Sequence, residues 1–290
     1  MPELPEVQTT VNDLNKKIIG LKITGAWFDW PKMIKKPKPN EFEKNIKNEK
    51  ILSARRRAKN ILIYLSGDKL LLIHQKMTGH LLVGKWQKTK SGWKSELDRY
   101  FDEKVNGYIH LIFFLNNGEM LALSDLRKFA KVLLGPKNII EQIPELKKLG
   151  VEPFSKEFTL EKFRSIIKKE KRKIKAVLMD QEKISGIGNI YSDEILWEAK
   201  VHPFRAANSL TDSETKRIYS AIRKILTKAL RLRGTSTSDF RDTAGQKGKF
   251  GDVLNVYRRE GKACPRCGAM IERAKMGGRS AHFCPVCQKL

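Results

Sequence analysis

Cys264-Pro265-Arg266-Cys267 and Cys284-Pro285-Val286-Cys287, spaced C-x2-C-x16-C-x2-C, are the stretch of this sequence that constrains its fold most. Two paired-thiol turns supply the four soft ligands that zinc accepts in tetrahedral geometry, at a separation usual for such sites. Paired disulfides and iron-sulfur ligation are the alternatives. Four thiolates leave no open coordination position, so the expectation is one structural zinc ion that contributes to folding. Between the pairs, Gly277-Gly278-Arg279-Ser280 makes either a tight hairpin loop that turns a guanidinium outward or a plain solvated turn. All four cysteines lie in the last 27 residues, so the rest of the chain uses no disulfide staple, which argues against a secreted scaffold.

Upstream of this module the chain reads as helical. Phe158, Phe163, Ile166, Ile167, Ile174, Val177 and Leu178 follow helical spacing, and Ile195, Leu196 and Trp197 fall in another short helix. Ser185-Gly186-Ile187-Gly188-Asn189 separates them, too glycine-rich to continue either. Residues 209–230 form a longer amphipathic helix, with Asp212 or Ser213 as cap and Ile218, Ile222, Ile225, Leu226 and Leu230 facing inward. Residues 233–251 are a polar loop with four glycines.

Before residue 150 the pattern changes. Val7, Val11, Leu14 and Ile18 mark a helix stopped by Gly20, with Pro5 in its first turn. Strand-like runs follow at 21–28, 51–54, 61–65, 69–74, 80–86, 108–115, 120–123 and 131–134, with Asn116-Asn117-Gly118 as a hairpin turn. The lysine-rich stretch 32–50 and the segment 88–104 read as surface excursions.

Lys+Arg number 58 against 32 Asp+Glu, and the formal charge of +26 is spread evenly, +12 over residues 1–150 and +14 over 151–290. A polyanion touching both halves explains that balance, since each phosphate neutralised releases counterions. A protein that is merely basic is the competing explanation. Acids stand where a signal peptide needs basic residues, and no run of 18 apolar residues occurs. The expectation is a soluble intracellular protein.

The start of the chain carries a second signal. If Met1 is removed, Pro2 presents a secondary α-amine beside Glu3 and Glu6. Such an amine has a reference pKa of about 8 and can attack an electrophilic carbon to give an iminium ion. Prolines and acids also begin ordinary helices. Three further clusters combine cations, polar donors and flexible or aromatic groups: Arg55-Arg56-Arg57-Ala58-Lys59, His74-Gln75-Lys76-Met77-Thr78-Gly79 and Arg127-Lys128-Phe129. They suit insertion into a base stack, or are core Phe and Met beside surface cations.

Taken in order, Pro2-Glu3-Leu4-Pro5-Glu6-Val7, Arg56-Arg57-Ala58-Lys59, His74 through Gly79, Asp125-Leu126-Arg127-Lys128-Phe129, Asp180-Gln181, Gly186-Ile187-Gly188-Asn189-Ile190-Tyr191, Arg258-Arg259-Glu260-Gly261 and Gly277-Gly278-Arg279-Ser280 through Cys287 resemble the bacterial formamidopyrimidine-DNA glycosylases. These are helix-two-turn-helix DNA glycosylases of the Fpg/MutM type, and the resemblance covers essentially the whole chain. It implies an α+β fold: an N-terminal helix and two-layer β-sandwich (1–134), a linker (135–150), a helix-two-turn-helix domain with a lesion-recognition loop (151–250) and a zinc-finger β-hairpin (251–290).

The implied activity is excision of oxidised purines, especially 8-oxoguanine and formamidopyrimidines, with β,δ-elimination at the abasic site during base excision repair. Pro2 would attack C1′, Glu3 would assist ring opening and proton transfer, Glu6 would support the site, and Lys59 would contact the lesion nucleotide or its phosphates. Eversion of the base is required because a stacked duplex obstructs C1′. Met77 would then fill the vacated space, Arg127 address the opposite base and Phe129 wedge the stack, while His74, Asn189 and Arg279 bind phosphates. Cys264, Cys267, Cys284 and Cys287 would hold the zinc, so that Arg279 stands near the same phosphates as Asn189. Thr235, Ser236, Thr237 and Ser238 would face the everted base. The implied partner is damaged double-stranded DNA, bound by a monomer with no membrane and no obligate protein partner, in the cytoplasm and at the nucleoid.

This sequence departs from the family pattern at Gln8, where an acid is common, at Gln75-Lys76, and at Ala130, which replaces a Gly and predicts a modest local adjustment. Two other readings remain at this stage. One is a noncatalytic DNA- or RNA-binding module with the same zinc and basic surfaces. The other is the related endonuclease VIII type, which prefers oxidised pyrimidines; Leu4 and the Arg127 to Phe129 wedge favour the first family.

Overall fold

A computed structural model describes residues 1–90, 92–96, 100–237 and 239–290. The chain divides into two compact units, Met1–Lys147 with Leu232–Gly251, and Lys148–Arg231 with Asp252–Leu290.

In the first unit, helix α1 (Leu4–Lys17) precedes strands β1 (Ile23–Phe28) and β2 (Ile34–Lys36), helix α2 (Pro39–Ile46), and strands β3 (Ile51–Arg57), β4 (Asn60–Leu65), β5 (Lys69–His74), β6 (His80–Gly84), β7 (Trp86–Thr89), β8 (Gly92–Ser95), β9 (Ile109–Leu115), β10 (Met120–Ser124) and β11 (Lys131–Pro136). One sheet has the order β1-β9-β10-β6 and the other β2-β11-β5-β4-β3. Alternate residues of these strands meet in one core: Ile61, Ile63 and Leu65 of β4, Leu71 and Ile73 of β5, Leu111, Phe113 and Leu115 of β9, Leu121 and Leu123 of β10. That period of two is what a sandwich requires, and Val7, Val11 and Leu14 of α1, with Ile18 at its C-cap, join the same core at helical spacing. The β9–β10 hairpin turns at Gly118, with φ +80°.

Two expectations need correction here. Residues 32–50 are not a surface excursion: β2 pairs in parallel with β11, and Met33, Ile34, Phe42 and Ile46 are buried. The lysines hid this pattern because they occupy the outward positions between four apolar residues. Within 88–104, β7 and β8 form a hairpin, and Trp93 packs edge-on against Trp27 at 5.2 Å. The remainder of that segment includes Leu97, Asp98 and Arg99, outside the described residues.

The second unit holds α5 (Leu160–Lys168), α6 (Ile174–Met179), α7 (Asn189–Ala199), α8 (Asp212–Arg231) and a hairpin of β12 (Glu272–Met276) and β13 (Arg279–Phe283); two short helices, α3 (Lys137–Ile140) and α4 (Pro144–Lys147), end the body of the first unit. The stretch expected as a linker, 135–150, is therefore structured up to Lys147: the Lys137 N–H reaches the Asp68 carbonyl at 2.8 Å, and Ile140 is buried. Thr211, rather than Asp212 or Ser213, caps α8: its hydroxyl takes the Glu214 N–H at 3.2 Å while Glu214 takes the Thr211 N–H at 2.8 Å. Residues 232–251, grouped by sequence with the helices, pack with the β-sandwich unit.

Candidate active site

Helix α1 starts at Leu4 because two acids cap it. The Glu3 N–H donates to Glu6 Oε2 at 2.8 Å, and the Glu3 carboxylate receives the Glu6 N–H in return. Pro2, Glu3 and Glu6 are all buried. The second oxygen of Glu6 accepts the Thr235 N–H at 2.7 Å. That approach requires Gly234: its φ is +80°, and a Cβ there would stand 2.7 Å from Glu6 Oε1. Burial lowers the pKa of the Met1 amine, the group next to Pro2, against the opposing pull of Glu3 and Glu6, with Lys59 adding to the lowering and Asp239 resisting it.

Lys59 occupies the β3–β4 turn, in which Ala58 has φ +53° and Arg57 pairs with Asn60. Arg56 Nη1 donates to the Ala58 carbonyl at 3.2 Å, which steadies that turn. Lys59 itself is 6% exposed, and its charge acts on both the terminal amine and His74. His74 ends β5. Its pKa falls to about 3, chiefly through burial and then through Lys76 and Lys59. Because Nδ1 accepts the Lys76 N–H at 3.0 Å, the proton of the neutral ring belongs on Nε2. His74 is thus a neutral donor.

Asp125 organises the two loops that follow. Its Oδ1 accepts the Thr78 hydroxyl and the Arg127 N–H at 3.3 Å, its Oδ2 accepts the Ala130 N–H at 2.7 Å, and the Arg127 N–H also reaches Thr78 Oγ1 at 3.1 Å. One fully buried carboxylate therefore joins the Met77 loop to the Arg127–Phe129 loop. On that base, Met77 and Phe129 stay exposed, and the Arg127 guanidinium lies 4.6 Å from the Phe129 ring centroid. Ala130 needs no adjustment: the residue with positive φ is Lys128, at +56°, and the Ala130 methyl is buried in the sandwich core.

In the second unit, Gln181 shapes the turn before α7, donating to the Met179 and Ile187 carbonyls and accepting the Gly186 N–H at 2.8 Å. Asn189 opens α7. Arg279 opens β13, exposed, after a two-residue turn in which Gly277 has φ +58°. Lys175 of α6 and Asp193 of α7 hold β13 through the Ser280 carbonyl, at 2.7 Å, and the His282 N–H, at 3.1 Å. Glu194, whose pKa burial pushes up, accepts the N–H groups of Asn255, Val256 and Tyr257. The Sγ atoms of Cys264, Cys267, Cys284 and Cys287 lie within 4.8 Å of one another, a cluster able to coordinate a metal ion. Trp197 Nε1 donates to Cys264 Sγ at 3.4 Å, and Arg266 stacks on the Trp197 ring at 3.9 Å.

Glu3, Glu6 and Lys59 thus act on the amino terminus next to Pro2, and the Met77 and Arg127–Phe129 loops share one support. Sequence reasoning assigned no role to Asp125, Thr78, Gly234, Lys175 or Asp193. The available signals were Gly234, a glycine directly after a long helix, and the places of Asp125 and Thr78 within the quoted motifs. Of the four residues expected to face the everted base, Ser238 lies outside the described residues.

A β-sandwich with Pro2, Glu3 and Glu6 buried at the start of its helix, together with a helical unit carrying a four-thiol hairpin, defines the class of helix-two-turn-helix DNA glycosylases. Comparison narrows it. Residues 1–132 match the formamidopyrimidine-DNA glycosylase N-terminal domain, 149–241 its H2TH domain, and 261–290 the zinc finger found in FPG and IleRS. The chain is 41% identical over its full length, and that of its relative, to the formamidopyrimidine-DNA glycosylase of Pelotomaculum thermopropionicum, and 38% identical to that of Heliobacterium modesticaldum, again with complete coverage of both. A Lactococcus lactis Fpg bound to DNA with an abasic site superposes with a TM-score of 0.86 at 33% identity, over 99% of this chain and 100% of that one. The chain belongs to the formamidopyrimidine-DNA glycosylase family.

Proposed function

We propose that this chain is a bifunctional DNA glycosylase and AP lyase that removes oxidised purines from duplex DNA, with the Pro2 nitrogen as nucleophile. The observation that carries the assignment is the amino terminus: Pro2, Glu3 and Glu6 are buried there, and the Met1 amine beside Pro2 has a pKa lowered by burial, with Glu3, Glu6 and Lys59 as neighbouring charges. Removal of Met1 makes Pro2 that terminus. Its lone pair attacks C1′ as the bond from C1′ to the base nitrogen breaks, and the base leaves with a proton. Glu3, the nearer acid in sequence, assists ring opening and moves that proton. Loss of the ring oxygen from C1′ yields an iminium ion, which acidifies C2′. Proton loss there expels the 3′ phosphate, a second elimination expels the 5′ phosphate, and water releases the amine.

DNA complexes of Lactococcus lactis Fpg with abasic-site DNA and with Fapy-dG DNA support this substrate class. Lys59 and the neutral Nε2–H of His74 contact the phosphates or sugar of the lesion nucleotide, while Met77, Arg127 and Phe129 occupy the gap left by the everted base. Asn189 and Arg279 bind phosphates from the second unit and set register rather than sequence preference.

Zinc fits the four thiols. Sulfurs about 2.3 Å from one ion stand about 3.8 Å apart, close to the observed cluster, and the set is all sulfur. With no ligand position left over, the ion would hold the hairpin that carries Arg279 and take no part in the chemistry.

Hydride reduction of a reaction on 8-oxoguanine duplex DNA should trap a covalent adduct that maps to Pro2, with strand incision in the unreduced reaction. N-terminal mass analysis first establishes that Met1 is gone. Absence of both products from metal-loaded protein that binds the duplex would sink the assignment.

A further inference from the structure

Arg233 adopts φ +61°, a left-handed conformation that glycine takes freely and that strains a long side chain. Its side chain shows what offsets the strain. Nη2 donates to Asp13 Oδ2 at 2.6 Å and to Asp242 Oδ2 at 2.7 Å, and Nε to the same Asp242 oxygen at 3.0 Å. Both carboxylates are enclosed, 9% and 4% exposed. Asp13 belongs to α1, the helix that carries Glu6, and Asp242 to the far side of the loop. The Lys249 N–H closes on the Leu232 carbonyl at 2.8 Å and the Phe250 N–H on the Gly234 carbonyl at 3.0 Å. One guanidinium therefore ties both strands of the loop root to α1, and two residues later the Thr235 N–H sits on Glu6.

We propose that Arg233, held between Asp13 and Asp242, is a positioning residue that keeps the Thr235 N–H on Glu6 and so sets how strongly Glu6 acts on the catalytic amine. The inference rests on the assignment of Pro2 as nucleophile. A carboxylate that accepts two backbone N–H bonds has part of its charge neutralised, and Glu6 accepts from Glu3 and Thr235. Freed from Thr235, the same oxygen stabilises the protonated amine more. The charges that act most on the amine at the chain's start are Glu3, which caps α1, Glu6 of α1, Lys59 of the β3–β4 turn and Asp239 of the loop. The loop over the lesion and the nucleophile thereby share one joint.

The test is the pH dependence of single-turnover cyanoborohydride trapping on duplex DNA with a preformed abasic site, for wild type, Arg233→Gly and Asp13→Asn. Glycine suits the backbone at 233, so that variant removes the side chain alone. The joint predicts that both variants move the acid limb upward by about half a pH unit, roughly a threefold slower trapping below the limb. A direct field effect predicts opposite signs, since one variant removes a cation and the other an anion. Opposite shifts, or no shift, overturn the proposal. Asp242→Asn loosens the same guanidinium and should also shift the limb upward, a third reading should either variant unfold. A wild-type protein that traps nothing at Pro2 instead overturns the nucleophile assignment, and this inference with it.

Discussion

Lys175 and Asp193 form an ion pair sealed from solvent on both sides, Nζ to Oδ1 at 2.6 Å with neither side chain exposed. The lysine also donates to the Ser280 carbonyl at 2.7 Å, and the other Asp193 oxygen receives the His282 N–H, with His282 Nδ1 at 3.0 Å. Helices α6 and α7 thus grip β13 immediately after Arg279. Two charges this deep are held only because each has its partners.

Lys175→Met should cost about 3–5 kcal/mol, because it leaves Asp193 buried without its counter-ion. Pairing it with Asp193→Leu should recover much of that loss. Denaturant melts of the two single variants and the double variant measure the coupling directly. Equal, additive losses would mean that the pair is not the source.

Asp125→Asn should loosen both wedge loops together, since one carboxylate holds Thr78, Arg127 and Ala130. The expected cost is about 1–3 kcal/mol of stability, the penalty for leaving buried partners unsatisfied. Discrimination between opposite bases should weaken in the same variant. Arg127→Ala should lose that discrimination with little effect on melting; if it weakens binding to all duplexes equally, Arg127 contacts phosphate instead.

His74 gives a pH prediction of definite sign. Its folded pKa, about 3, lies below the ordinary histidine value, so its contribution to stability is fully present above about pH 6.5 and is lost as pH falls toward 3. His74→Gln should flatten that part of the stability profile. As a neutral donor His74 displaces no counterion, so the same variant should weaken DNA binding without reducing its salt slope. A reduced slope would show that the ring binds as a cation.

Removing metal from the four thiols should release the β12–β13 hairpin and with it Arg279. DNA binding and base excision should then fall together, while the Pro2 amine stays intact to a small aldehyde probe. Cys267→Ser should reproduce the effect of chelation. Normal duplex affinity after verified metal loss would remove the hairpin from the DNA interface.

Much of this is legible in the sequence. The C-x2-C-x16-C-x2-C spacing marks a metal-binding hairpin because four ligands in two short turns are a local property of the chain. The two-residue period of Ile61, Ile63 and Leu65 gives a sandwich strand for the same reason, and the Pro2–Glu6 segment announces a capped helix with an amine at its end. The lysines of 32–50 misled because their number outweighs the four apolar residues between them.

The tertiary structure decided what each acid is for. Asp125 and Asp193 look like two of 32 acidic residues in the sequence, and Glu6, legible there as a helix-capping acid beside Pro2, shows nothing of its second bond. Each acquires its role from a donor brought close by folding: Thr78 at a separation of 47 residues, Lys175 at 18 and the Thr235 N–H at 229. A spacing motif records bonds along the chain. A buried charge, by contrast, is held by partners that packing alone can supply, because outside the fold water would solvate it just as well.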